Sequence, residues 1–111
     1  VGEVDWSVGQ VLETLRQAGL AERTLVLFTS DNGGSLVHGS DNGPLRGAKG
    51  STLEGGMRVC TLAWWPGKIP GGTATDAIAG MLDVLPTLAA RAGVALDQRP
   101  RDGVDLWPAL S

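Results

Sequence analysis

Residues 24–33 read T-L-V-L-F-T-S-D-N-G, an apolar run of strand length that stops on a carboxylate, an amide and a glycine. A continuous apolar run of this kind suits a strand covered on both faces, so a buried strand is expected over 24–30. Its ending has two readings. Asp and Asn bond their own backbone and Gly tolerates positive φ, which makes a tight turn. Asp31 and Asn32 also offer the hard oxygen donors that Ca²⁺ or Mg²⁺ takes, at the carboxyl end of a strand, where open α/β sheets bind ligands. The tripeptide alone favours the turn, because two residues fall short of the roughly six to eight oxygens that calcium gathers.

Upstream, Val4, Val8, Val11, Leu12 and Leu15 fall at helical spacing, with Glu3 and Asp5 in the first turn and Gly19 as a stop. A helix is expected over 4–18. Helix followed by buried strand points to an α/β layer. Downstream, residues 33–56 hold eight glycines and no sustained periodicity, so 31–57 reads as one long Gly-rich loop. Ordered loops of that length are usually functional. R-V-C-T-L-A-W-W, residues 58–65, reads as a second buried strand closed by Pro66-Gly67. Residues 76–82 fit strand or helix equally. Asp83 reads as the N-cap of a helix over 83–92 that ends at Gly93. The tail 97–111 closes on Leu106, Trp107 and Leu110 and is expected to dock on a single modest core. D-N-G occurs twice, at 31–33 and 41–43, and only the first follows a strand.

The loop concentrates Arg46, Lys49 and Arg58 among glycines, an arrangement that brings cations and backbone N–H groups to a tetrahedral oxyanion. Solvated loop charges are the ordinary alternative. A nucleotide-binding P-loop is excluded on spacing, since Ala48 precedes Lys49 and Gly50 follows it. His38 is either a ligand or acid, or an idle exposed side chain. Cys60, between apolar neighbours, reads as a small buried hydrophobe rather than a nucleophile.

Composition narrows the classes. A net charge of −3 with mixed signs gives no basic face for nucleic acid. No segment approaches the ~20 apolar residues of a membrane span. One cysteine cannot form an internal disulfide and leaves the redox compartment open. The start at Val1, without methionine or signal peptide, is expected to mark a fragment of a longer protein.

Five stretches together resemble one family: T-L-V-L-F-T-S-D-N-G-G (24–34), N-G-P-L-R-G-A-K-G-S-T-L-E-G-G-M-R-V (42–59), W-W-P-G (64–67), D-V-L-P-T-L-A-A-R-A-G (83–93) and D-G-V-D-L-W-P-A-L (102–110). They are similar to the C-terminal part of the catalytic domain of type I sulfatases, the arylsulfatase and N-acetylgalactosamine-6-sulfatase-like branch of the alkaline phosphatase superfamily. The resemblance implies an α/β fold: one partial domain over 1–111, a fragment of an alkaline-phosphatase-like sandwich with a few-stranded sheet, flanking helices and a long active-site loop. It implies Asp31 and Asn32 as ligands of Ca²⁺, with Mg²⁺ as the alternative ion. Lys49 is implied as the catalytic, sulfate-binding cation, and His38 as a substrate-pocket residue.

The implied reaction is hydrolysis of a sulfate monoester of a small molecule or glycan through a formylglycine. That residue is expected in the N-terminal region that these residues lack, because Cys60 in C-T-L-A-W does not fit the C/S-x-P-x-R motif from which it is made. The isolated chain is then expected to be inactive. Phosphate or phosphonate ester hydrolysis, and a non-catalytic domain that self-associates, are the alternatives. The resemblance is compatible with a periplasmic, secreted or lysosomal-type compartment.

Overall fold

The computed structural model describes residues 1–111. The chain divides into two compact units, one formed by Val1–Arg23 with Trp65–Ser111 and the other by Thr24–Trp64.

In the first unit, helix α1 spans Gly2–Gln17. Glu3 and Asp5 in its first turn and Arg16 in its last oppose the helix dipole. It ends in a Schellman arrangement: Gly19 takes φ 67°, and the Leu20 N–H donates to Leu15 O at 2.9 Å. Helix α3 spans Val84–Ala92 and stops where Gly93 turns left-handed at φ 67°. Residues 76–80 are irregular, and Met81–Asp83 form a 3₁₀ turn leading into the helix. The short helix α4, Trp107–Leu110, closes the chain.

Asp83 does not cap α3 with its side chain. Its carboxylate instead accepts the Gly80 N–H at 2.7 Å and the Val104 N–H at 2.8 Å. Two backbone donors outcompete one at the helix start. Thr87 continues the tie: its hydroxyl donates to Asp83 O at 2.6 Å and accepts the Leu106 N–H at 2.8 Å. The tail therefore docks through polar bonds. Trp107 adds an edge-on contact with Trp65, 5.8 Å between centroids, and carries Arg91 4.7 Å above its ring.

In the second unit, strand β1, Val26–Thr29, pairs antiparallel with β2, Thr61–Trp64. Val26 faces Trp64 and Thr29 faces Thr61, so residues 30–60 leave and return at the same end of the sheet. The Thr29 and Thr61 hydroxyls bond each other at 2.8 Å across that mouth. Both strands are shorter than their apolar runs. Pro66 has no N–H to donate just past β2, and the Ser30 hydroxyl is committed to Asn32 O at 2.8 Å.

The expected burial is not found. Leu27 is 36%, Phe28 37% and Leu62 63% exposed in a sheet of only two strands. Cys60 lies just outside β2 and is exposed, not buried within a strand. No general core forms: Ala89 is the one buried hydrophobic residue, joined by buried Asp83 and Thr87.

Candidate functional site

The loop between β1 and β2 is not structureless. It contains a 3₁₀ turn at Leu36–His38 and a helical turn, α2, at Glu54–Met57. Its two ends are pressed together through glycine. The Gly33 N–H donates to Gly56 O at 2.9 Å, and a Cβ on Gly33 would stand 1.9 Å from Gly55 O. The Gly55 N–H in turn donates to Arg46 O at 2.8 Å, and a Cβ on Gly55 would meet Gly47 O at 2.3 Å. Backbone packs directly on backbone here, and only glycine permits the approach.

Asp31 and Asn32 stand immediately past β1 on this frame. The Asn32 side-chain amide touches the Asp31 carboxylate, with Nδ2 donating to Oδ1. Asp31 is exposed and Asn32 half-buried. No cluster of three His, Cys, Asp or Glu side chains forms around them. The donor set is thus one carboxylate and one amide.

Lys49 reaches the same frame by its backbone. Its N–H donates to Gly34 O at 3.1 Å, and Gly34 lies three residues after Asp31. The Lys49 side chain is exposed and enters no ion pair. Arg58 differs: it pairs with Glu54 at 3.7 Å, both largely exposed, which is worth little in stability. His38 is exposed, and its Nδ1 meets Ser35 Oγ at 3.0 Å. It makes no hydrogen bond to Asp31, Asn32 or Lys49.

The structure thus joins Asp31 to Asn32, brings the Lys49 backbone onto Gly34, and leaves His38 bonded within its own turn. Asn42 is the residue that the sequence reading passed over. Its Oδ1 accepts the Gly34 N–H at 2.8 Å, while Nδ2 donates to Gly34 O at 2.9 Å and to Gly47 O at 3.3 Å. The signal was the second D-N-G, which has no strand before it.

Comparison with known proteins agrees with this architecture. Residues 1–94 match the sequence model of the family described as Sulfatase. The chain is 43% identical over 99% of its length to N-acetylgalactosamine-6-sulfatase of Canis lupus familiaris. It is 46% identical to steryl-sulfatase of Rattus norvegicus over 99%, and 48% identical to arylsulfatase A of Bos taurus over 97%. It spans 22%, 21% and 22% of those proteins' lengths. Among solved structures, Ps i-CgsB in complex with k-i-k-neocarrahexaose superposes with a TM-score of 0.91 at 43% identity, covering 96% of this chain and 24% of that one. The PsFucS1 sulfatase from Pseudoalteromonas sp. gives 0.82 at 33% identity, over 97% of this chain and 23% of that one.

Proposed function

Because the chain belongs to the sulfatase family, we propose that its Thr24–Trp64 unit is part of a sulfate-monoester hydrolase, supplying Asp31 and Asn32 to a divalent ion and Lys49 to the sulfate group. One observation carries this reading. The Lys49 N–H rests on Gly34 O, so the segment bearing the cation is hydrogen-bonded to the segment bearing the two oxygen donors.

The donor set fits the ion. A carboxylate and an amide oxygen are hard ligands suited to Ca²⁺ or Mg²⁺ and poorly suited to zinc. An ion held by Asp31 and Asn32 would supply positive charge able to polarise a sulfate oxygen. Lys49 contributes a second, protein-borne charge. Its ammonium, free of any carboxylate partner, neutralises charge developing on the transferring group and the leaving oxygen.

No C/S-x-P-x-R run occurs in residues 1–111, and exposed Cys60 is followed by Thr61-Leu62-Ala63-Trp64. The formylglycine is therefore assigned to a part of a longer protein that these residues do not include. The substrate class is a sulfated small molecule or glycan; the hexaose held by Ps i-CgsB supports including glycans among the substrates tried. His38, on the exposed turn, is a candidate contact to the leaving group.

The test has two arms. The 111-residue chain alone should turn over no aryl sulfate, and a longer version carrying the formylglycine motif should hydrolyse a sulfate ester faster than the matched phosphate ester. Turnover by the chain alone, or preference for phosphate, would refute the reading. A second reading, self-association of the chain, is favoured by the exposed faces of Leu27, Phe28 and Leu62.

A further inference from the structure

We propose that Asn42 is a positioning residue for this site: its carboxamide fixes the Lys49 segment to the strand end that carries Asp31 and Asn32. The inference rests on the sulfate-binding reading of Lys49 and concerns how that lysine is held.

The second D-N-G provides no metal donor set. Asp41 spends its carboxylate on the Gly43 N–H at 2.8 Å, and Asn42 O accepts the Leu45 N–H at 2.8 Å, so the backbone bearing the amide is a closed turn. From that turn the half-buried Asn42 side chain reaches two separate stretches. On Gly34 it satisfies both backbone groups, accepting the N–H and donating to the carbonyl. On Gly47, two residues before Lys49, it donates to the carbonyl. Gly34 O then serves two donors, Asn42 Nδ2 and the Lys49 N–H, which uses both of its lone pairs. Removing the amide breaks that shared junction.

Asparagine is specified chemically. The site needs one acceptor and two donors in a single planar group close to the backbone. Aspartate has no donor and would set carboxylate oxygens against two carbonyls. Glutamine carries the same group one methylene too far out.

The experiment is amide hydrogen exchange on the full 111-residue chain, unsubstituted and as Asn42→Ala and Asn42→Asp. Both variants should speed exchange at Lys49 by roughly tenfold, the order expected when hydrogen bonds of this strength are lost. The Val26–Thr29 and Thr61–Trp64 pairing should keep its protection, and Asn42→Asp alone should retain protection at the Gly34 N–H. Unchanged exchange at Lys49 overturns the proposal. So does loosening that spreads through both strands in both variants, which would make Asn42 a general stabiliser.

Sulfate titration supplies the second readout. Asn42→Ala should weaken sulfate binding in the unsubstituted chain and add nothing in a Lys49→Ala background, because it acts through Lys49; an additive loss overturns the positioning role. Failure of the unsubstituted chain to respond to sulfate counts against the sulfate reading itself, while exchange measured without sulfate still judges the clamp.

Discussion

At the scale of single residues, the frame of the loop depends on positions that must stay small. Gly33 is the clearest case. Any side chain there drives a Cβ to 1.9 Å from Gly55 O, and the obstacle is backbone with no rotamer to yield. Gly33→Ala should therefore destabilise the Thr24–Trp64 unit by about 1–3 kcal/mol, the usual cost of overpacking. Chemical denaturation of the pair checks it, and equal stabilities would show that the loop ends are not held together. The place of Asp31 and Asn32 just past a strand was legible in the sequence, while the residues alone favoured a turn and only the family resemblance makes them the proposed metal donors. Lys49 was legible as a cation among glycines. Asn42 was not, because its role arises from which distant carbonyls the folded loop presents to it, and no spacing along the chain encodes that.

At the scale of elements, pattern and packing disagree in an instructive way. The apolar runs around β1 and β2 announce strands, and strands form. Their burial does not follow, because burial depends on what lies against the sheet, and Leu62 stays 63% exposed. The helix over Val84–Ala92 was likewise legible from its Gly93 stop and from Asp83, which stands at its N-cap position without making a side-chain capping bond. Asp83 was assigned to the cap by residue type, yet its carboxylate is drawn to the Val104 and Gly80 N–H groups.

Those two bonds, Val104 first, hold the Asp83 carboxyl below its ordinary value of 3.8. A carboxyl whose folded-state value is depressed adds stability that is present above its unfolded value and lost as pH falls through the folded one. Unfolding of the tail against α3, followed by the fluorescence of Trp65 and Trp107, should therefore begin as pH drops below about 3.8. Asp83→Asn should flatten that acid limb; an unchanged acid limb would show that Asp83 does not couple tail to helix. Asp97 is also held low, chiefly by Arg99. That pair is largely exposed, and such pairs add little to stability.

At the scale of the whole molecule, the surface decides what to expect in solution. Leu27, Phe28 and Leu62 of the sheet are 36%, 37% and 63% exposed, apolar surface of the kind that associates. The chain spans 22% of the length of N-acetylgalactosamine-6-sulfatase of Canis lupus familiaris, while a two-stranded sheet is marginal in isolation. Sedimentation should accordingly show a mass above the monomer's 11.5 kDa, and Leu62→Lys together with Phe28→Lys should reduce it. A clean monomer before substitution would contradict this. Fold class and family were legible in the sequence because five short stretches occur in order, each weak alone. The thin core was not, because composition reports how many apolar residues a chain has and not whether anything covers them.

The central claim is that Asp31, Asn32 and Lys49 serve one site. If they do, a bound calcium places positive charge beside the sulfate, so the two should bind cooperatively, by the same factor in either order. Calorimetric titration of sulfate into the 111-residue chain, with and without calcium, measures this directly. The account predicts that calcium raises sulfate affinity by at least roughly fivefold, and that Lys49→Ala or Asp31→Ala abolishes the gain. Sulfate binding indifferent to calcium, or a gain that survives both substitutions, would contradict it.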